Sequence, residues 1–139
     1  MTQSTFATLE GFDSHETRKK RLGQYFSGMP VSKLLVALAA RRGMRSVCDP
    51  MGGRGDMLIA AREVIPGCTR TDGIEIDPIA HGEAIAALRV GHVESTYLLG
   101  SAFDAAMVSG LAAEGYDLVA TNPPYVRYQS QKESAGQSA

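Results

Sequence analysis

Four short apolar runs constrain what this chain can fold into. They are RSVCDP (45–50), TDGIEID (71–77), STYLLG (95–100) and YDLVAT (116–121). Each has the length of a buried strand and stops at a proline, a glycine or a polar corner. Between them lie stretches with helical spacing: DMLIAAREVI (56–65), PIAHGEAIAALRVG (78–91) and AAMVSGLAAEG (105–115). An earlier helix is expected over MPVSKLLVALAARRG (29–43), with Pro30 in its first turn, Leu34, Leu35 and Leu38 on one face and Gly43 as its stop. Strands that alternate with helices of this length require parallel pairing through crossovers. The expected fold class is α/β, a doubly wound sheet in the order 3-2-1-4.

The totals exclude several function classes. Net charge is −1 over 139 residues, so bulk charge nominates no polyanion, and 44% apolar with 21% charged residues suits one globular domain. No apolar run reaches the length of a membrane span, and the first twenty residues carry no signal-peptide core. Cys48 and Cys68 form neither a metal spacing nor a disulfide framework, and His15, His81 and His92 are scattered. The expectation is a cytoplasmic protein without metal. Residues 1–17 read as a flexible start, 18–128 as the folded domain and 129–139 as a disordered tail. The cations of RKKR (18–21) suit a solvated helix start, or phosphate contacts that position nucleic acid without reading it.

In an open parallel sheet, ligands bind beyond the carboxyl ends of the strands, where strand order reverses. In the order 3-2-1-4 that point lies between strands one and four. Strand one runs into Asp49-Pro-Met-Gly-Gly-Arg-Gly55, and strand four into Asn122-Pro123-Pro124-Tyr125. The two least ordinary stretches therefore meet in one crevice. Gly53 and Gly55 permit positive φ and a close backbone approach, and the helix that follows aims N–H groups at an anion. Leu58 occupies the third place of a dinucleotide fingerprint and no Gly-Lys-Ser/Thr is present, so neither a pyrophosphate loop nor a P-loop is indicated. Glu75, twenty residues after Gly55 at the end of strand two, is suited to ribose hydroxyls, whereas Asp77 reads as a helix cap. An acid at such a strand end has no evident structural role. S-adenosylmethionine, with its ribose, adenine and carboxylate, fits such a pocket.

The proline pair holds Asn122 and Pro123 extended, which fixes the Asn122 side-chain oxygen and nearby carbonyls as acceptors. Tyr125 adds a stacking surface. Acceptors on the hydrogens of an exocyclic amine favour its pyramidal, nucleophilic form as a new bond develops.

These motifs, in this order, resemble those of gamma-type adenine-N6 DNA methyltransferases of restriction–modification systems. RLGQYFSGMPVSKLLVALA resembles the leading segment, CDPMGGRGDML the glycine loop, GIEIDP the ribose strand and NPPYVRY the catalytic motif, across about residues 18–128. The resemblance implies a Rossmann-like methyltransferase fold, S-adenosylmethionine as cofactor and DNA as partner, with an adenine swung out of the duplex because its amine is buried in a stacked pair. By position, Tyr25 and Ser27 line the cofactor's methionine end. Asp49, Gly53 and Gly55 shape the pocket, Glu75 holds ribose and Ile76 packs on adenine. Ser101 and Phe103 complete the cofactor set, with Asp104 as a candidate in place of Ser101. Asn122, Pro123, Pro124 and Tyr125 hold the target base.

Three departures from the pattern bear on cofactor affinity: Ser27-Gly28 for Thr-Pro, Arg54 for a small loop residue, and Ser101 for an aspartate. The family's catalytic domain continues well beyond Asn-Pro-Pro-Tyr, so the reading is of an N-terminal part whose sheet a companion polypeptide or further chain completes. The rival readings are methylation of RNA adenine or of a protein glutamine amide, and a non-catalytic module that binds cofactor or docks on a subunit.

Overall fold

A computed structural model of the chain describes residues 28–123. Four helices and four strands alternate as expected. Helix α1 spans Gly28–Ala39, β1 Ser46–Asp49, α2 Asp56–Val64, β2 Arg70–Glu75, α3 Pro78–Leu88, β3 Tyr97–Leu99, α4 Ala105–Ser109 and β4 Leu118–Val119. The strands form one parallel sheet in the order β3-β2-β1-β4, the order expected. In register, Val47 pairs with Thr71 and Leu118, and Gly73 pairs with Tyr97.

Helix α2 packs on β1 and β2, and α3 on β2 and β3, with α2 touching both α1 and α3. The core between them holds Val36, Val47, Met57, Leu58, Ala60, Ala61, Ile65, Ala84 and Leu88. Leu58 is fully buried, and Leu58→Ala is a cavity substitution of the kind that costs about 2–5 kcal/mol. Arg62 of α2 ties this layer together, donating from Nε to Thr71 Oγ1 at 3.0 Å and from Nη1 to the Leu88 carbonyl at 2.8 Å.

Local chemistry explains the element ends. Asp77 caps α3 by accepting from the Ile79 amide at 3.1 Å, and Pro78 follows at the first helical position, both as expected. Helix α4 is shorter than the sequence predicts: it stops at Ser109 because Gly110 weakens the next turn. Helix α1 buries a different stripe from the expected leucines. Ser32 and Val36 are buried, with Met29 and Ala40 half-buried against the core, whereas Val31, Leu34, Leu35 and Leu38 are exposed.

The start of β4 is held by side chains rather than by a long ladder. Asp117 Oδ2 accepts from the amides of Arg45 and Ser46 at 2.7 and 3.1 Å, and Ser46 Oγ accepts from the Asp117 amide at 3.0 Å. Beyond the strand, the Ala120 amide still donates to the Cys48 carbonyl at 3.0 Å. β4 therefore lies directly beside β1 and delivers Thr121 and Asn122 to the end of the sheet where β1 delivers Asp49.

Candidate functional site

The glycine loop leaves β1 after Asp49 and enters α2 at Asp56. Gly53 and Gly55 take φ of +56° and +86°, the left-handed region expected for them. Gly55 is the N-cap of α2 and offers no side chain to the amides of the first turn. That arrangement leaves the positive end of the helix dipole suited to an anionic group.

Glu75 organises the loop. Its carboxylate accepts from the Gly53 amide at 2.7 Å through one oxygen and from the Asp77 amide at 2.8 Å through the other. The side chain is buried. The expectation that Glu75 has no structural role is thereby corrected, since it joins the glycine loop of β1 to the helix start after β2.

Gly53 is held through its carbonyl as well. Tyr97 Oη donates to the Gly53 carbonyl at 2.8 Å. Burial, with the carboxylates of Asp49, Glu75 and Asp56 nearby, raises the Tyr97 phenol well above its ordinary range, so it remains a donor. Two glycines make room for the ring. A Cβ at Gly52 would stand 2.4 Å from Tyr97 Oη, and one at Gly73 would stand 2.6 Å from Tyr97 Cε2. His81 stacks on the ring with centroids 5.5 Å apart, and its Nε2 lies 2.9 Å from the Tyr97 carbonyl oxygen. No motif marks Tyr97. The available signal was Gly73 inside a strand, which signals close approach by a neighbour but does not name it.

Asp49 is 3% exposed and accepts from the Met51 amide at 3.1 Å. Burial raises its carboxyl to about 6, against hydrogen bonds from Thr121 and Met51 that lower it. The Thr121 contact links the start of the glycine loop to the residue before Asn122. Asn122 is half-buried and Pro123 exposed. The remaining members of that corner, Pro124 and Tyr125, lie outside the described residues, as do Tyr25 and Ser27.

The other end of the crevice begins where the Gly100 amide donates to the Glu75 carbonyl oxygen at 2.9 Å. Ile76 follows Glu75 and is 59% exposed, and Phe103 in the loop after β3 is 88% exposed. Ser101 Oγ accepts from the Phe103 amide at 3.2 Å and so shapes its own loop. Asp104 caps α4 by accepting from Ala106 at 2.9 Å, which engages the candidate replacement for Ser101 in a structural bond. Arg54 Nε lies 3.9 Å from Glu83 Oε2 on α3. Among the described residues no cluster of three or more His, Cys, Asp or Glu could hold a metal ion, and no helix is long and apolar enough to cross a membrane.

Residues 8–137 match the family of N-6 DNA methylases. The chain belongs to that family. Among its relatives, the type II methyltransferase M.HincII of Haemophilus influenzae is 26% identical over 118 residues, which is 85% of this chain and 20% of the relative. The chain thus spans about a fifth of the length of the curated relatives it matches. In three dimensions the chain resembles the methyltransferase subunit of a type I restriction–modification system from Streptococcus thermophilus. That likeness has a TM-score of 0.61 at 19% identity, over 75% of this chain and 25% of that one. A Pyrococcus horikoshii protein described as an RNA methyltransferase gives a TM-score of 0.56 at 19% identity, over 83% of this chain and 57% of that one. These likenesses establish the Rossmann-like methyltransferase fold.

Proposed function

We propose that this chain is the cofactor-binding and acceptor-presenting part of an S-adenosylmethionine-dependent adenine-N6 DNA methyltransferase of a restriction–modification system. One observation carries the reading. The glycine loop and the Asn122 corner leave neighbouring parallel strands at the same end of the sheet, where the Ala120 amide, two residues before Asn122, donates to the Cys48 carbonyl, one residue before Asp49, at 3.0 Å. Membership of the N-6 DNA methylase family supports it.

The donors and surfaces present fit the cofactor. The side-chain-free cap of α2 suits its carboxylate, the Glu75 carboxylate at the end of β2 is of the type that receives ribose hydroxyls, and the exposed Ile76 and Phe103 suit the faces of adenine. When bound, S-adenosylmethionine supplies a methyl group on a sulfonium, an electrophile reactive enough that the amine needs no prior deprotonation. The protein's own contribution is positioning and charge stabilisation. Asn122 Oδ1 and a carbonyl of the proline pair accept the two amine hydrogens of an extruded adenine. Those bonds strengthen as positive charge develops on the nitrogen, so they favour the transition state over the planar amine. The family resemblance assigns Tyr25 and Ser27 to the cofactor's methionine end, and Pro124 and Tyr125 to the target base. DNA is the partner, with a companion polypeptide or further chain supplying sequence recognition.

Calorimetric titration with S-adenosylmethionine, followed by transfer of labelled methyl to duplex DNA, to RNA and to glutamine-containing peptide, tests this. The expected result is label on the N6 position of adenine in DNA, with Asn122→Ala abolishing transfer and preserving cofactor binding. Label on RNA alone, or on peptide alone, sinks the DNA assignment. Cofactor binding without transfer to any acceptor favours a non-catalytic module, a reading for which the fraction of its relatives that this chain spans is the relevant observation.

A further inference from the structure

We infer that Tyr97 is a positioning residue for the cofactor loop, acting with Glu75 as a two-sided clamp on Gly53, one bond to each of the peptide groups that flank its Cα. The inference rests on the proposed cofactor site and extends it to a residue outside every motif. Gly53 has φ of +56°, and both its polar backbone groups are taken by side chains from other strands. Its N–H is held by Glu75 of β2 at 2.7 Å and its C=O by Tyr97 of β3 at 2.8 Å. Two neighbouring strands thus fix the two peptide planes that meet at the Gly53 Cα, in the loop that must face the ligand.

The surroundings are built for this ring. Gly52 and Gly73 lack the Cβ atoms that would collide with it, and Gly73 is its register partner on β2. His81 stacks against one face and lies within hydrogen-bond distance of the Tyr97 carbonyl oxygen, which ties the ring to α3. A phenylalanine would fill the same volume and keep the stack but lose the bond to Gly53. Without that bond the carbonyl is free to rotate, and the Gly53 amide and the Glu75 carboxylate lose their fixed relation. Glu75 is the side chain assigned to ribose, so the loss reaches the ligand through Glu75 rather than by direct contact.

The test is Tyr97→Phe, read by amide hydrogen exchange in the ligand-free protein and by calorimetric affinity for S-adenosylmethionine and S-adenosylhomocysteine. Exchange should accelerate locally, at residues 52–55, while the β1–β2 ladder keeps its protection. Affinity for both ligands should fall about 5–10-fold, the range to which one lost hydrogen bond converts. Gly52→Ala, which intrudes on the ring, should give the same local pattern. Unchanged exchange and affinity in Tyr97→Phe overturn the clamp. Faster exchange spread over the whole sheet also overturns it, since that marks a purely structural residue. If the unaltered chain binds neither ligand, the proposed function fails and the cofactor half of this inference fails with it. Local acceleration at residues 52–55 would in that case still support the two-sided hold on Gly53.

Discussion

The carboxylate of Asp49, at the end of β1, lies beside the Thr121 side chain, which follows β4 and stands one residue before Asn122. The same carboxylate accepts from the Met51 amide in the glycine loop. One buried acid therefore touches the cofactor loop and the residue that introduces the acceptor corner.

That placement has a thermodynamic cost with a definite sign. Burial raises Asp49 from 3.8 to about 6, so the folded chain holds this proton more tightly than the unfolded chain does. The unfolded state carries fewer protons at this site across that window, and stability falls as pH rises through it. At neutral pH the ionised carboxylate costs on the order of 3 kcal/mol. Asp49→Asn is therefore expected to be more stable than the parent above pH 6, with the advantage shrinking towards pH 4. Urea denaturation across that range measures it, and parallel stability curves for the two proteins would contradict the argument.

Glu75 should respond in the opposite direction. Both of its oxygens accept backbone amides, from Gly53 and Asp77. A glutamine has one acceptor oxygen, so Glu75→Gln sets its NH2 group against one of those donors. The expected loss is about 1–3 kcal/mol of stability, together with weaker cofactor binding. Neutralising one acid of the pocket should thus stabilise the fold and neutralising the other should weaken it. Denaturation of the two variants side by side checks the contrast, and a Glu75→Gln protein as stable as the parent would refute it.

The parts of this architecture that local chemistry dictates were legible in the sequence. Asp77-Pro78 announces a helix start, and Gly53 and Gly55 announce positive φ, because cap and backbone preferences act over one or two residues. Parallel pairing followed from the alternation of elements, whereas the order 3-2-1-4 was an expectation of the fold class that the structure bears out. The Tyr97 contact was hidden because it depends on register: Gly73 shows that something comes close, and only the β2–β3 pairing identifies it. The structural role of Glu75 was hidden because its partners are backbone amides, which leave no signature in residue type. Helix periodicity located the leucine stripe of α1, but period alone does not choose which face meets α2. There Ser32 and Val36 are buried in place of Leu34, Leu35 and Leu38.

Cys48 offers a probe of opening. Its thiol is buried within β1 and is pushed up to about 12, chiefly by burial and then by the carboxylates of Asp49 and Asp72. Thiolate is the reactive form, so iodoacetamide at pH 8 should leave Cys48 unmodified until the sheet opens. Cys68 is half-buried and should label sooner. Peptide mass mapping after timed alkylation distinguishes the two sites. Early modification of Cys48 in the native protein would contradict its placement.

The position of the acceptor corner depends on a strand only two residues long, so side-chain anchors must fix what the ladder cannot. Tyr116, just ahead of β4, reaches across to β2 and donates to Asp72 Oδ2 at 2.6 Å. Asp72 is fully buried and also accepts from Arg70 Nε at 2.6 Å and from the Thr96 amide at 2.8 Å. Tyr116→Phe removes one charge-assisted bond from this group and is expected to cost about 1.5–3 kcal/mol. Asp72→Asn leaves the remaining donors short of acceptors and should cost more. If Tyr116 holds β4 through Asp72, the two substitutions should be less than additive in a double-mutant cycle. Exchange of the Ala120 amide, bonded to the Cys48 carbonyl, should accelerate in either variant. Methyl transfer should then fall while cofactor affinity stays near that of the parent, because the glycine loop is held separately by Glu75 and Tyr97. Additive energies with an unperturbed Ala120 amide would show instead that the β1–β4 pairing fixes the corner without help from Tyr116.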